Sequence, residues 1–266
     1  MKLSMLGTGC ALVTECYNTC FVISDENRHF MVDAGGGNQI FNQLKKVNID
    51  LGDIHDFFVT HKHIDHILGV IWVIRKICQS LGAGKYSGEY RIYGHDEVIS
   101  LLQDFSFKLL TAKQTKFIGD KVKLIEVADR DEKKILDRKV TFFDIASTKA
   151  KQFGFCMMLD DKEHLTCCGD EPFNPCYEPY ARNSKWLLHE AFCLYDEREK
   201  FKPYEKHHST VKDSCELAEK LKAKNLVLYH TKDNEIGARK ARYSAEGRQY
   251  YTGNLFIPDD LEVIEL

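Results

Sequence analysis

The sequence lacks the features that would mark a disulfide scaffold, a zinc ribbon or a membrane protein. No two of its ten cysteines form a Cys-x-x-Cys pair, so zinc-ribbon and thioredoxin-like interpretations lose their main support. The longest apolar run, Ile67 to Ile74, contains Gly69 and is far too short to cross a bilayer. Gly7-Thr8-Gly9 interrupts the start before the core of a signal peptide could form. These absences predict a cytoplasmic protein in which most cysteines are reduced, buried and act as small apolar side chains.

An excess of positive charge is also missing. The chain has 37 Lys and Arg against 40 Asp and Glu, a formal charge of −3, which is not the basic footprint of a general nucleic-acid-binding protein. Hydrophobic residues make up 44% and charged residues 29% of the sequence, a balance typical of folded globular chains and not of disordered ones. No repeat, low-complexity stretch or linker divides the 266 residues. We therefore expect a single domain spanning residues 1–266.

Short apolar strands and amphipathic helices follow one another along the chain. The segment between Lys121 and Thr166 is mostly β in character, with a tight turn at Asp160 to Glu163. Two rounds of β-rich and then α/β segments predict an α/β fold with two mixed sheets and helices on the outside, a four-layer αβ/βα sandwich. The order of elements is also compatible with one mixed sheet. Other predicted strands are 3–6, 20–24, 29–32, 57–60, 91–93, 186–188, 226–229 and 255–265, and the predicted helices are 38–47, 67–81, 96–108 with Asp96 as its cap, and 235–251. One more helix is predicted with Ser209 or Thr210 as its cap and Asp213 three residues after Thr210 as a weak capping box. The predicted inward face of this helix is Val211, Cys215, Ala218 and Leu221.

Four potential metal ligands lie within six residues directly after the predicted strand 57–60. They belong to the stretch His61-Lys62-His63-Ile64-Asp65-His66. In an irregular loop, residues 61 and 63 can point to one centre while residues 65 and 66 point to another. Imidazole and carboxylate together suit Zn²⁺, Mn²⁺ or Fe. Wedged between a buried strand and a buried helix, these polar side chains would be costly unless they coordinate something.

This stretch, with Thr60 before it and Gly69 after it, resembles the T-H-x-H-x-D-H signature of the metallo-β-lactamase-fold hydrolases. Two further blocks are similar to the ribonuclease Z branch of phosphodiesterases, namely Leu187-Leu188-His189-Glu190-Ala191, with Phe192 where Thr is usual, and His208-Ser209-Thr210. The resemblance extends over almost the whole chain, because other pieces occur in the family's order: Asn18-Thr19-Cys20, Asp33-Ala34-Gly35, Cys168-Gly169-Asp170 and Leu228-Tyr229-His230.

The resemblance implies two divalent metal ions, which are expected to be Zn, with Mn or Fe as alternatives. A hydroxide held between the ions would be the nucleophile, because two cations lower its pKa and neutralise charge on the attacked oxygens. The first ion would be bound by His61 and His63, the second by Asp65, His66 and His230, and both by the bridging Asp170.

The resemblance also implies roles for residues that do not only bind metal. His208 and Glu190 would form a proton-transfer pair that protonates the leaving alkoxide, and Asp65 is counted with them among the catalytic residues. Asp33 would orient the ligand loop from behind. The remaining histidines, His207 among them, are expected to be ordinary surface or core residues.

The chain departs from the family pattern in two places. The family supplies a third histidine to the first metal about six residues before a Gly-aromatic pair, which here is Gly154-Phe155, and that position holds Thr148. The first metal site is therefore predicted to be one ligand short and weak. The tRNA-processing members also carry a long arm before the bridging aspartate, whereas Phe153 to Asp170 has room only for a tight hairpin. A large polyanion is thus a poor candidate substrate.

Three functions remain open from the sequence. The leading one is a metal-dependent phosphodiesterase that acts on a small phosphodiester, a nucleotide or a short RNA. The second is a metal-dependent hydrolase of carboxylic esters, lactones or thioesters, because the same hydroxide serves acyl transfer. The third is a metal- or nucleic-acid-binding protein with little turnover. No membrane partner is expected, there is no strong signal for nucleic-acid binding, and a homodimer is left open.

Overall fold

The computed structural model describes residues 1–266 and contains two mixed sheets of seven strands each. The residues separate into two compact units. Unit 1 comprises Met1–Gly7, Tyr17–Ala128 and Asp260–Leu266, and unit 2 comprises Thr8–Cys16 and Asp129–Asp259. Each unit holds one of the sheets, so the two mixed sheets predicted from the sequence are present.

The strands are short and several consist almost entirely of buried residues. In chain order they are β1 (Lys2–Gly7), β2 (Cys20–Asp25), β3 (Arg28–Val32), β4 (Ile54–Phe58), β5 (Tyr90–Gly94), β6 (Val122–Glu126), β7 (Glu132–Ile135), β8 (Arg138–Asp144), β9 (Phe153–Met158), β10 (His164–Cys167), β11 (Trp186–Glu190), β12 (Asn225–Tyr229), β13 (Asn254–Phe256) and β14 (Val263–Glu265). The helices are α1 (Ile40–Lys46), α2 (Ile64–Gly82), α3 (Asp96–Leu109), α4 (Ala112–Thr115), α5 (Glu178–Ala181), α6 (Arg198–Phe201), α7 (Val211–Leu221) and α8 (Ile236–Gly247).

Each sheet is antiparallel at one end and parallel at the other. The sheet of unit 1 has the order β14-β1-β2-β3-β4-β5-β6, and its pairs from β3 to β6 are parallel. The sheet of unit 2 has the order β13-β12-β11-β10-β9-β8-β7, and its pairs from β10 to β13 are parallel. Parallel neighbours bring the carboxyl ends of their strands to one edge, which is where α/β proteins place their functional loops.

The core of unit 1 is built around α2, which is apolar on most of its circumference. Ile67, Val70, Ile74 and Ile77 are buried and belong to one apolar cluster with residues of the sheet such as Phe57. Burying one such side chain contributes about 1.5–3 kcal/mol. The position of the loop that precedes α2 is therefore fixed by the packing of the helix.

The core of unit 2 includes the predicted inward face of α7. Val211, Cys215, Ala218 and Leu221 are all buried. The helix begins after Thr210, whose hydroxyl accepts a hydrogen bond from the Asp213 backbone N–H while the Asp213 carboxylate accepts one from the Thr210 N–H. This reciprocal cap was predicted from the sequence and is confirmed.

Three predicted boundaries are wrong. The strand 57–60 ends at Phe58, because the Thr60 N–H donates to the Asp33 carboxylate instead of to a neighbouring strand. The segment 255–265 is two strands that belong to different sheets, separated by Pro258, which lacks a backbone donor. Asp96 does not cap α3; it lies in the first turn after the N-cap His95. The strand β7 was not predicted.

All ten cysteines are free, and eight of them are buried, which agrees with the prediction for most of them; Cys16 is partly exposed and Cys176 is exposed. None of the eight helices combines the length and the apolar character that crossing a bilayer requires.

Candidate active site

The histidine-rich loop of unit 1 connects the end of β4 to the start of α2. His61, Asp65 and His66 are buried, and His63 is partly exposed at the N-cap of the helix. The ligand atoms occur in two close pairs: His61 Nε2 lies 2.8 Å from His63 Nδ1, and His66 Nε2 lies 3.4 Å from Asp65 Oδ2. These are the pairs that the sequence assigned to the first and the second ion.

Asp33 holds this loop in place from the end of β3. Its backbone is in the left-handed region, with φ of 54°, a conformation that a few non-glycine residues adopt, mostly Asn and Asp. Its carboxylate accepts hydrogen bonds from the Thr60 N–H at 2.9 Å, from the Thr60 hydroxyl at 2.8 Å and from His66 Nδ1 at 2.7 Å. A carboxylate on Nδ1 fixes the ring and directs Nε2 outward, as in the carboxylate–histidine–metal arrangement.

Gly69 allows α2 to approach this region closely. A Cβ at residue 69 would lie 1.9 Å from the carbonyl oxygen of Ala34, and the Gly69 N–H donates to the Gly35 carbonyl at 2.8 Å. The Ala34 N–H in turn donates to the His66 carbonyl at 3.1 Å. The glycine therefore keeps Asp33 and His66 within hydrogen-bonding distance.

Unit 2 brings Asp170 and His230 together. Asp170 follows β10 and Gly169, whose φ of 78° makes the turn, and His230 follows β12 with φ of 56°. Asp170 Oδ2 lies 3.2 Å from His230 Nε2. The side-chain amide of Gln152, which is buried, donates to Asp170 Oδ1, so the carboxylate is oriented by a residue that the sequence did not single out.

The donor chemistry and spacing of these residues fit divalent metal ions. Two atoms that bind one tetrahedral Zn²⁺ at about 2.0–2.1 Å are about 3.3 Å apart. The distances of 3.4 Å between His66 and Asp65 and of 3.2 Å between His230 and Asp170 agree with this value, and the 2.8 Å between His61 and His63 is somewhat shorter. A neutral imidazole or a carboxylate from each residue is the ligand set that zinc accepts.

His208 and Glu190 form a second group in unit 2. Glu190 at the end of β11 is fully buried, and its Oε2 lies 3.5 Å from His208 Nδ1, while its Oε1 accepts a hydrogen bond from the Ser209 N–H. His208 stacks on Phe192 with 4.8 Å between the ring centroids and 6° between the planes. Its ring is also 5.1 Å from that of His230. Glu190 thus faces Nδ1, and the stacking on Phe192 fixes the plane of the ring.

The environment of His208 favours its charged form. Burial and the nearby charge of Lys149 lower the pKa of the imidazole, but the charge and hydrogen bond of Glu190 and the charge of Asp170 outweigh them, so the pKa of His208 is raised. A histidine whose pKa is raised is protonated over more of the neutral range, as a general acid requires. By contrast, burial lowers the pKa of the neighbouring His189, which contacts Ser214 and has a structural position.

Position 148, where the family would place a histidine, is part of an exposed turn. The Thr148 hydroxyl lies 2.6 Å from His207 Nδ1, and the ammonium of Lys149 lies 3.4 Å from His208 Nε2. The sequence predicted an ordinary role for His207 and none for Lys149. Their only signal in the sequence is adjacency, because Lys149 follows Thr148 and His207 precedes His208.

Comparison with known proteins gives concordant results. The family model of the anti-Pycsar protein Apyc1 matches residues 1–248. The chain is 25% identical to a ribonuclease Z from Nanoarchaeum equitans, over 98% of this chain and 92% of the relative. It is 27% identical to zinc phosphodiesterase ELAC protein 1 from Mus musculus, over 64% of this chain and 46% of the relative. Among solved structures, the metallo-β-lactamase fold protein YhfI from Bacillus subtilis matches with a TM-score of 0.80 at 16% identity, covering 100% of this chain and 99% of YhfI.

These comparisons confirm two predictions from the sequence. The resemblance to metallo-β-lactamase-fold proteins of the ribonuclease Z type is confirmed by the relatives. The fold class, with two mixed sheets and helices, is confirmed by the match to YhfI.

Proposed function

Because the chain belongs to the family of the anti-Pycsar protein Apyc1, we propose that this metal-dependent phosphodiesterase of the metallo-β-lactamase superfamily hydrolyses a small phosphodiester, such as a nucleotide or a short RNA. The prediction of an enzyme, a metal-dependent hydrolase, is confirmed by the ribonuclease Z and zinc phosphodiesterase relatives. The observation that carries the choice of substrate class is the buried pair of His208 and Glu190. When a phosphodiester is hydrolysed, the alcohol part leaves as an alkoxide that needs a proton, and this pair can supply one.

We propose that the residues of both units bind two divalent ions, as the resemblance implies. His61 and His63 would hold the first ion, Asp65, His66 and His230 would hold the second, and Asp170 would contribute to both. The pairwise distances between ligand atoms within each unit support this assignment. Bound there, the ions would supply positive charge that lowers the pKa of a water molecule and stabilises the phosphoryl oxygens.

The protein's own residues then have separate tasks. Asp33 and Thr60 hold His66 and His61 in their orientations, and Gln152 holds Asp170. His208 holds a proton at Nε2, and Glu190, at the Nδ1 side, stabilises the charged ring. This division leaves His208 as the group that gives its proton to the departing oxygen.

The experiment compares two substrates whose leaving groups differ in their need for that proton. The leaving group of dithymidine phosphate is a deoxyribose alkoxide, whereas that of the p-nitrophenyl ester of thymidine monophosphate is a stable phenolate. We expect His208→Ala to lower kcat by about 10²- to 10⁴-fold on the first substrate and far less on the second. Glu190→Gln is expected to lower kcat by a smaller factor, again more on the first substrate than on the second.

Metal content of each variant, measured by elemental analysis, is the control. His63→Ala and Asp65→Ala should lose metal and activity on both substrates, whereas His208→Ala should retain its metal. Equal losses on both substrates in His208→Ala would contradict the role of general acid. Hydrolysis of p-nitrophenyl acetate or a lactone without hydrolysis of either phosphodiester would contradict the substrate class.

A further inference from the structure

Lys149 is a charged residue beside the site, and the proposed reaction gives it no role. Its ammonium lies 3.4 Å from His208 Nε2, the nitrogen that is remote from Glu190. Lys149 forms no ion pair with a carboxylate, although acidic residues outnumber basic ones in the chain. The ammonium therefore lies next to the atom to which the proposed mechanism assigns the proton, with no carboxylate bound to it.

The turn that carries Lys149 is exposed, but hydrogen bonds hold its backbone in place. Glu171, which is 6% exposed, accepts hydrogen bonds from the Ser147 hydroxyl at 2.6 Å and from the Thr148 N–H at 3.2 Å. The Lys149 N–H donates to the Ser147 hydroxyl at 3.3 Å, and Thr148 contacts His207 on the other side. A buried carboxylate therefore fixes the backbone immediately before the lysine.

The ammonium of Lys149 lies within hydrogen-bonding distance of His208 Nε2. Stacking on Phe192 and the position of Glu190 keep Nε2 pointing toward Lys149. An ammonium has three donor groups, and the contact with His208 uses at most one of them. An anionic oxygen beside Nε2 would accept from another, and a phosphate ester offers such oxygens.

We propose that Lys149 binds a phosphate oxygen of the substrate next to the point where His208 delivers its proton. This inference rests on the proposed function, since it names the residue that recognises the phosphate. The turn that lacks the family's histidine at position 148 thus supplies a cation one residue later. The surroundings support an anionic ligand: the ammonium groups of Lys206 and Lys232 lie 5.4 Å and 5.2 Å from the centroid of the Phe192 ring.

The carboxylates near this point are engaged elsewhere. Glu171 is bound by the turn itself, Glu190 contacts Ser209 and the Nδ1 side of His208, and Asp170 contacts Gln152 and His230. None of them pairs with the ammonium of Lys149, so the lysine can accept an external anion as its partner.

The test uses Lys149→Gln in the metal-loaded protein, with thymidine monophosphate as a probe that binds without turnover. Loss of one charge-assisted contact is expected to weaken binding of this probe about tenfold, measured by calorimetry, and to raise KM for dithymidine phosphate by a similar factor. The expected change in kcat is small by comparison, and Lys149→Arg should restore most of the binding. Lys151→Gln is the matched control, because Lys151 lies over the Phe153 ring, 5.6 Å from its centroid.

Two results would overturn the proposal. One is an affinity for thymidine monophosphate in Lys149→Gln equal to that in Lys151→Gln. The other is a loss of bound metal in Lys149→Gln, which would mean that the turn supports the metal site and does not bind the phosphate. Failure of the wild-type protein to hydrolyse any phosphodiester would refute the proposed function instead, and the calorimetric comparison would still decide whether Lys149 binds phosphate.

Discussion

Asp33 joins three parts of the candidate site with one carboxylate. It accepts hydrogen bonds from the backbone and hydroxyl of Thr60 and from His66, and Thr60 in turn contacts His61 Nδ1 at 2.9 Å. A ligand of each proposed ion is therefore oriented through the same residue. In the proposed assignment the two ions nevertheless differ in their ligands, because the first would have His61, His63 and the shared Asp170, and no histidine stands at position 148.

Asp33→Asn is expected to weaken metal binding by about 10- to 100-fold, because an amide cannot stabilise the His66 ring as a carboxylate does. Asparagine is the appropriate replacement, since it also tolerates the left-handed backbone found at residue 33. Titration of metal-free wild-type protein with Zn²⁺ should give two unequal affinities, and the tighter one should weaken in the variant.

The control for this titration is Asp25→Asn, which changes a partly exposed aspartate that pairs with Arg28 on another part of the surface. Equal affinities at the two sites of the wild-type protein would show that another residue completes the first site. Unchanged affinities in Asp33→Asn would show that Asp33 has no part in orienting the ligands.

The contact between α2 and the loop after β3 depends on a helical residue without a side chain. A Cβ at residue 69 would lie 1.9 Å from the Ala34 carbonyl oxygen, and backbone on both sides would have to move. Gly69→Ala is expected to lower the free energy of unfolding by about 1–3 kcal/mol, as is usual for overpacking. It should also reduce metal binding, since the helix carries Asp65 and His66.

Urea unfolding and metal titration check this expectation. Gly237→Ala in α8 is the matched control, because a Cβ there would meet nothing within 4 Å, and alanine in a helix is more favourable than glycine. The control should therefore keep or gain stability. A Gly69→Ala variant as stable as Gly237→Ala, with its metal affinity intact, would contradict the close approach.

The metal-binding loop and the fold could be predicted because their signals are local. Ligand residues packed into one loop, and apolar spacing along α2 and α7, can be recognised within a few positions. The roles of Gln152, Glu171 and Lys149 could not be predicted in the same way. Their partners Asp170, Thr148 and His208 are brought close by pairing of β8, β9 and β10 and by a turn. No hydrophobic periodicity in the sequence predicts those contacts.

The hairpin of β9 and β10 sets a limit on how a large substrate can be held. His164 to Cys167 pairs directly with residues 155–158. Only a short turn therefore stands here, as predicted from the sequence, at the place where the resemblance gives the tRNA-processing members a long arm. The chain as a whole carries a net charge of −3, which opposes binding of a polyanion. We expect precursor tRNA to be cleaved slowly compared with dithymidine phosphate.

This expectation is checked by measuring kcat/KM for both substrates at the same moderate salt concentration, with the inactive Asp65→Ala variant as the background for contaminating nucleases. Efficient cleavage of precursor tRNA, with tight binding at that salt concentration, would contradict the preference for small substrates.

The distribution of the cysteines determines which thiols are oxidised first. Eight thiols are shielded inside the folded chain, and burial raises the pKa of several of them, including Cys20, Cys78, Cys168, Cys193 and Cys215. Since the thiolate is the form that oxidants and disulfides attack, the folded state protects these side chains by both shielding and protonation. Oxidation should therefore begin at the exposed Cys176 and the partly exposed Cys16 and reach the eight buried thiols only in molecules that have unfolded, so that conditions that destabilise the fold also increase oxidative damage.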